Sequence, residues 1–523
     1  MSGVDAVVSR VSHQANTWRA LDASRRADIL QSCMQGVFDN AQTWVERTCE
    51  AKGIAMDSPL AGEEWYTGPG ILLRHLRLYR DTLLRGGVPS SRVKKTKAGW
   101  SAIVFPFDRW DGILFPGLSA EIRGLPNTEP TALTRGEGGC AAVLGAGNVQ
   151  SIVPLDVLYQ LLKENRVVVV KMSPVNGYLQ PVLESAFAPM VAAGFLGFVK
   201  GGAEAGAELI AHPKISAVHL TGSEASFKRV LQAEGMGQKE ATAELGAVSP
   251  VIIVPGTWSR ADINFQAQQI VGMMLVNNGF NCNAPKLLVT SESWPQRQDF
   301  LQAIRQAFLS APKRKAWYPG AEERWSRFVR EYDETVAPHA KGETPGVLLA
   351  NVPAEKTQLA LKEEAFCAIL AETPLRANSE ADFLKQAVDL VNDSVYGTLS
   401  CTLIAAPSTN QEDLEAAISN LRYGSIGVNV WAGLSFALGT TTWGAFPGHT
   451  RENPQSGLGV VHNTFFFDHP CNTILRGRFR PWIKPFWMPG HATLGTLSKG
   501  LVDYEFAPSL REVARLIPPA LMG

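Results

Sequence analysis

Cys140-Ala141-Ala142-Val143-Leu144, then Gly145-Ala146-Gly147-Asn148, then an apolar run to Lys163, is the stretch that decides how this chain folds. Small and apolar residues, a glycine-bearing turn and a helical pattern over 149–163 read as strand, loop and helix. Val167-Val168-Val169-Val170 follows. Four consecutive β-branched residues read as a parallel strand buried on both faces, which completes a βαβ unit. The alternation goes on with a helix over 179–193, a strand Gly197-Phe198-Val199, a helix over 205–212 and a strand Ser216-Ala217-Val218-His219-Leu220. That strand opens into Thr221-Gly222-Ser223 and a further helix. The pattern predicts a doubly wound α/β domain.

Upstream, apolar residues recur at helical spacing between 4 and 84, as in Ala27, Ile29, Leu30, Met34 and Val37, and predict surface helices covering a sheet. From 100 to 115, β-branched and aromatic residues broken by Pro106 and Gly112 predict short strands or turns. The turn-rich segment 121–139 predicts a projecting element suited to self-association. Downstream, a second α/β unit starts at Val251-Ile252-Ile253-Val254 and runs to about 443. Residues 444–469 are rich in Gly, Pro, Asn and Ser, and the last 50 or so carry Phe479, Trp482, Phe486 and Trp487 among Arg478, Arg480 and Lys484. A lid over an apolar tunnel, a subunit-interface arm and a membrane-surface foot all fit that composition.

A length of 523 residues gives room for two or three domains. With 49 basic and 49 acidic side chains and no strongly basic face in the sequence, nothing argues for nucleic acid or an anionic membrane as the main partner. No basic segment leads into an apolar run at the N-terminus and no stretch is long enough for an integral membrane segment, so a soluble, cytoplasmic protein is expected. Seven cysteines without Cys-x-x-Cys spacing read as reduced thiols, and nine scattered histidines give no reason to expect a metal site.

Two places carry the chemistry. Asn277-Asn278-Gly279-Phe280-Asn281-Cys282-Asn283-Ala284-Pro285-Lys286 sets a cysteine in a polar turn between the apolar 270–276 and the strand-like Leu287-Leu288-Val289. Glu244-Leu245-Gly246 lies just upstream. The Gly145-x-Gly147 turn and the helix start at Thr221-Gly222-Ser223 are equally good anion sites, because both expose backbone N–H groups at a helix N-terminus.

Asn148, Lys171-Met172-Ser173-Pro174, Thr221-Gly222-Ser223, Glu244-Leu245-Gly246, Cys282, Glu364-Ala365-Phe366 and Ser456-Gly457-Leu458-Gly459 occur in one order with characteristic gaps. In that order the chain resembles the aldehyde dehydrogenase superfamily, over about 15–475. The resemblance implies a Rossmann-like cofactor domain over 1–118 and 139–245 and an α/β catalytic domain over 246–443. It also implies a small β oligomerisation element from 119–138 and 455–475, leaving 476–523 as a C-terminal extension. NAD or NADP is the implied cofactor, an aldehyde the substrate, and a homodimer or homotetramer the assembly.

Cys282 is implied as the nucleophile, forming a thiohemiacetal and then a thioester, and its thiolate must be favoured over a thiol of ordinary pKa about 8.5. Glu244 is implied as the base that activates water, and Asn148 as the donor that holds the oxyanion with the Cys282 N–H. The implied cofactor residues are Lys171 at the adenosine ribose hydroxyls with Ser173 after it, Gly202 where the backbone comes close, Gly222 and Ser223 at the pyrophosphate, and Glu364 and Phe366 at the nicotinamide ribose and ring.

The chain departs from the family pattern at several places. Gly147 replaces a Trp, Phe280 a Gln, Cys367-Ala368 a Gly-Pro, and Pro174 stands where an acidic residue usually accepts from the ribose 2′-OH. Without that carboxylate a 2′-phosphate is tolerated, with Lys200 placed to pair with it. The alternatives are a CoA-acylating dehydrogenase or acyl reductase on the same fold, or a non-catalytic member.

Overall fold

In a computed structural model that describes residues 3–87, 92–96, 99–130, 136–334, 336, 339–340 and 342–523, the N-terminal helical pattern becomes the helices Gly3–Ser12, Ala15–Ala20, Ala23–Lys52 and Ile71–Arg85. Ala23–Lys52 begins where the Asp22 carboxylate accepts from the Arg25 N–H at 2.8 Å and ends at Gly53, whose φ of 64° suits a left-handed C-cap. The helix Ile71–Arg85 is not the surface helix expected, since residues 71–79 are all buried. Arg74 and Arg77 are buried because carboxylates meet them. Arg74 lies 3.0 Å from both Glu505 and Asp111, and Arg77 also pairs with Glu505.

β1 (Val93–Thr96), β2 (Gly99–Phe105) and β3 (Ser119–Gly124) form an antiparallel meander. Between β2 and β3 the chain is helical over Arg109–Leu114, where strands or turns were expected. The Asp108 side chain accepts from the N–H groups of Trp110 and Asp111, and such a cap outweighs the strand preference of the aromatic residues around it.

The βαβ pattern gives β4 (Gly139–Leu144), β5 (Arg166–Lys171), β6 (Leu196–Val199), β7 (Ala217–Gly222) and β8 (Glu240–Leu245), all parallel. The long helix expected over 179–193 is a short 3-10 turn and two helices, Gln180–Ala186 and Ala188–Ala192. Pro189 has no N–H for a helix passing through Phe187, so a new helix starts there.

The second unit supplies β9 (Pro250–Ile253), β10 (Leu287–Ser291), β11 (Val347–Leu349), β12 (Ile369–Leu375), β13 (Ser400–Ile404) and β14 (Ser425–Val428), again parallel. β15 (Trp443–Gly444), β16 (Gly457–Leu458), β17 (Val460–His462) and β18 (Pro470–Arg476) complete the chain's strands among the described residues.

Two large sheets result. One runs β16-β8-β7-β4-β5-β6, the doubly wound order expected from sequence, with β16 antiparallel on its edge. The other runs β1-β2-β3-β18-β14-β13-β9-β10-β12-β11. Residues 119–124 therefore do not project. β3 lies inside this sheet between β2 and β18, and β18 pairs parallel with β14, so the antiparallel strands continue the sheet of the second unit. Pairing on both sides satisfies backbone groups that a free edge would expose. Residues 131–135 of the segment expected to project lie outside the described residues.

Removing the shared carboxylate leaves two buried guanidinium groups without it. Glu505→Ala is expected to lower unfolding free energy by about 3 kcal/mol, read as a fall in the guanidinium midpoint with an unchanged slope.

Candidate active site

The nucleophile turn sits where the helix Arg260–Leu275 ends and β10 has yet to begin. Asn277 and Asn278 both take left-handed backbone, with φ of 53° and 54°. Asparagine tolerates that conformation better than almost any residue but glycine, which explains the Asn-Asn-Gly run. The bend is pinned from within and from outside. Asn277 Nδ2 donates to the Asn148 carbonyl at 2.9 Å and to Asn281 Oδ1 at 3.2 Å. Its Oδ1 accepts from Lys52 Nζ at 2.8 Å, and Lys52 is itself paired with the buried Glu64 at 2.9 Å. Beyond the turn, Ser249 Oγ donates to the Cys282 carbonyl at 3.0 Å and Lys286 Nζ to the Gly279 carbonyl at 2.8 Å.

Glu244, near the end of β8, reaches the sulfur from the other sheet. Cys282 Sγ lies 2.8 Å from Glu244 Oε1. Burial pushes the Glu244 carboxyl up to about 7, and the thiol beside it opposes that rise. Its Oε2 has no well-aligned hydrogen-bond partner among the described residues, although the Trp443 indole is close. The Cys282 thiol is held well above its ordinary range, first by burial and then by the neighbouring carboxylate. A thiol and a carboxyl that burial makes reluctant to ionise, in direct contact, can pass one proton between them.

The Ser456-Gly457-Leu458-Gly459 motif closes the edge of this sheet. β16 pairs Gly457 with Glu244, and a Cβ on Gly457 would stand 2.1 Å from the Ala243 carbonyl. Only glycine allows that approach. Ser456 carries the contact on, with its Oγ 3.0 Å from the Gly246 carbonyl.

Asn148 is buried in the loop after β4, and its Nδ2 donates to the Phe280 carbonyl at 3.0 Å. One of its two N–H groups is thus used two residues ahead of the sulfur. The Cys282 backbone N–H bonds no backbone carbonyl among the described residues. Gly147 has a steric reason to replace a larger residue, since a Cβ there would meet Ser173 Oγ and Val175 Cβ at 2.7 Å. Phe280 is fully buried against Trp317, Tyr318 and Phe366, so an aromatic cluster fills the place of the usual amide.

The remaining sequence-selected residues follow the carboxyl ends of successive parallel strands, the edge at which doubly wound sheets bind ligands. Lys171 ends β5 and Ser173 follows it, Gly202 caps the helix Ala203–Ala211 after β6, and Gly222 ends β7. Ser223 caps the helix Glu224–Leu231 by accepting from the Ser226 N–H at 3.2 Å. Gly202, Gly222 and Ser223 are exposed, leaving two helix N-termini open to an anion.

Glu364 lies so close to Gly246 that a Cβ there would be 1.9 Å from its Oε2, and its Oε1 has no partner among the described residues. Burial pushes this carboxyl up to about 8, against the pull of Lys286. A buried acceptor without a donor, beside open helix N-termini, fits a ribose hydroxyl and pyrophosphate, as NAD or NADP would supply. Phe366, at φ 44°, stacks in the aromatic cluster beneath the nucleophile turn.

A cavity of about 60 Å³ opens onto Cys282 between Val149, Asn281, Trp431, Phe436, Phe486 and Trp487. Sequence reading missed Lys52, Glu64 and Lys286. Lys286 stands in the quoted turn, and burial brings its ammonium down to about 8, a value no pattern signals. Lys52 meets Asn277 across 225 residues of sequence, so neither local spacing nor composition announces the pair.

The aldehyde dehydrogenase family model matches residues 139–323. The D-glyceraldehyde dehydrogenase (NADP(+)) of Thermoplasma acidophilum is 24% identical over 57% of this chain and 61% of its own length, so the chain is matched to about three fifths of that relative. The substrate-bound AldH of Staphylococcus aureus shares the fold at a TM-score of 0.66 and 18% identity, over 94% of this chain and 97% of that one. The NADP-dependent glyceraldehyde-3-phosphate dehydrogenase of Bacillus halodurans, complexed with NADP, does so at 0.61 and 16%, over 91% of each chain. With the ordered motifs gathered on two adjoining sheets and a thiol held against a carboxylate between them, the chain has the fold of these aldehyde dehydrogenases and matches their family over residues 139–323.

Proposed function

We propose that the protein oxidises an aldehyde to a carboxylate with NAD or NADP. The observation that supports this reading most is the 2.8 Å contact between Cys282 Sγ and Glu244 Oε1. The sulfur attacks the aldehyde carbon and loses its proton to Glu244. The oxyanion of the thiohemiacetal is held by the free N–H of Asn148 and the Cys282 backbone N–H. The bound nicotinamide supplies the hydride acceptor, and Lys171, Ser173, Gly202, Gly222, Ser223, Glu364 and Phe366 hold the dinucleotide. Glu244 gives the thiol proton up to solvent and then takes one from water, whose oxygen adds to the thioester carbon and expels the sulfur as thiolate. Overall the aldehyde gives up a hydride, water gives the second oxygen, and two protons leave.

This reading assigns 1–118 and 139–245 to cofactor binding and 246–443 to catalysis, with 119–138 and 455–475 in assembly and 476–523 as an extension. The gap between β8 ending at Leu245 and β9 starting at Pro250 supports the seam between the first two. No described helix is long and apolar enough to cross a membrane. Seven free cysteines support a reducing, cytoplasmic setting, and the family resemblance supports a homodimer or homotetramer.

Cys282→Ala is expected to abolish reduction of NAD(P) by aldehydes, and retained turnover would overturn the nucleophile assignment. Glu244→Gln is expected to slow the burst of reduced cofactor and to lower steady-state turnover about 10²- to 10⁴-fold, because neither the thiol nor the water then has its proton acceptor. The base acts in its charged form. Wild-type kcat is therefore expected to rise with pH through about 7 and level above it, with Glu244→Gln losing that limb. Pro174 and Lys200 are exposed at the ends of neighbouring strands. Pro174→Glu is expected to raise the KM for NADP about tenfold relative to NAD by repelling the 2′-phosphate.

A further inference from the structure

A second, larger cavity of about 180 Å³ lies outside the one at Cys282. The two share walls, since Leu434, Phe486 and Trp487 face both. The outer chamber is lined by Leu114, Phe115, Leu497, Leu501, Leu516 and Ile517, with Arg478 and Lys484 among its few polar neighbours. Most of this lining comes from 477–521, the aromatic and basic extension whose role the sequence left open.

The dividing wall is made of Phe486 and Trp487. Phe486 packs on Tyr66 with ring centroids 4.4 Å apart, and Trp487 stands 6.1 Å from Trp431. A Cβ on Gly272 would be 2.4 Å from the Trp487 carbonyl, so the wall lies directly on the helix that leads to the nucleophile turn. At the mouth, Trp482 and Leu521 are 75% and 62% exposed. The Cys282 chamber thus abuts, across Leu434 and two aromatic side chains, a larger apolar space that has exposed apolar residues on its lining.

We infer that the preferred substrates are aldehydes with a long aliphatic chain. The inner cavity holds the carbonyl and first carbons, and the outer chamber holds the remainder of the tail. This rests on the aldehyde-oxidising reading above. The alternative of a polar or charged tail is disfavoured, because the outer lining offers hydrocarbon almost throughout and each buried methylene there leaves water.

The test is a series of straight-chain aldehydes from butanal through octanal to dodecanal, with kcat/KM measured on the full-length protein. A rise of about fourfold per added methylene is expected until the outer chamber is filled. A flat or falling series overturns the inference. Ile517 and Leu521 line the outer chamber and are partly exposed, so a charge there does not cost the fold. Ile517→Glu and, independently, Leu521→Glu are expected to lower the dodecanal-to-butanal ratio at least about tenfold. An unchanged ratio in both overturns the assignment of this chamber. If butanal is oxidised through Cys282 without any gain from chain length, only the tail assignment fails. If no aldehyde is oxidised, the reaction itself is misassigned and the tail assignment falls with it.

Discussion

A sulfur and a carboxylate 2.8 Å apart come from two different sheets, and their meeting governs how the rest of the molecule is arranged. Glu244 is carried by β8, the outermost parallel strand of one sheet, and Cys282 by the turn that feeds β10 of the other. Neither is useful unless the sheets keep their distance to within a fraction of an ångström. The short segment between Leu245 and Pro250 sets that distance, and its Ser249 reaches back to the Cys282 carbonyl. Gly457, Gly246 and Gly147 serve the same end by having no side chain where another group must pass.

The polarity of the surroundings follows from the same contact. Neither group is given a cation that would ionise it permanently. Lys52 is spent on Glu64 and on the Asn277 amide, and Lys286 on the Gly279 carbonyl. Desolvation dominates both Cys282 and Glu244, and each holds the other's proton in play. In the reaction proposed above, such a pair changes state when a carbonyl carbon arrives, because the new C–S bond removes the sulfur's hold on the proton.

Much of this was legible in the sequence where the signal is local. The four valines at 167–170 could only be an inner strand, and β5 spans them from Arg166 to Lys171. Glycine and asparagine between 277 and 279 announced a turn, and the order of seven short motifs named the family. Signals failed where a distant partner or a single cap decides the outcome. One aspartate at 108 turned an aromatic stretch into the helix Arg109–Leu114. The burial of Arg74 and Arg77 was unreadable, since a helix with two arginines on it looks solvated until Glu505 is placed beside them. Likewise the strand over 119–124 looked like an excursion because its neighbour β18 comes some 350 residues later.

The Glu505 contact has a temporal side. Its carboxylate lies 431 residues after Arg74 and 428 after Arg77. During synthesis Arg74 can meet Asp111 early, 37 residues on, whereas Arg77 has its carboxylate only once Glu505 has emerged, for a domain cannot bury a charge ahead of its partner. Full burial of the helix Ile71–Arg85 therefore waits on the helix Leu494–Phe506, which carries Glu505.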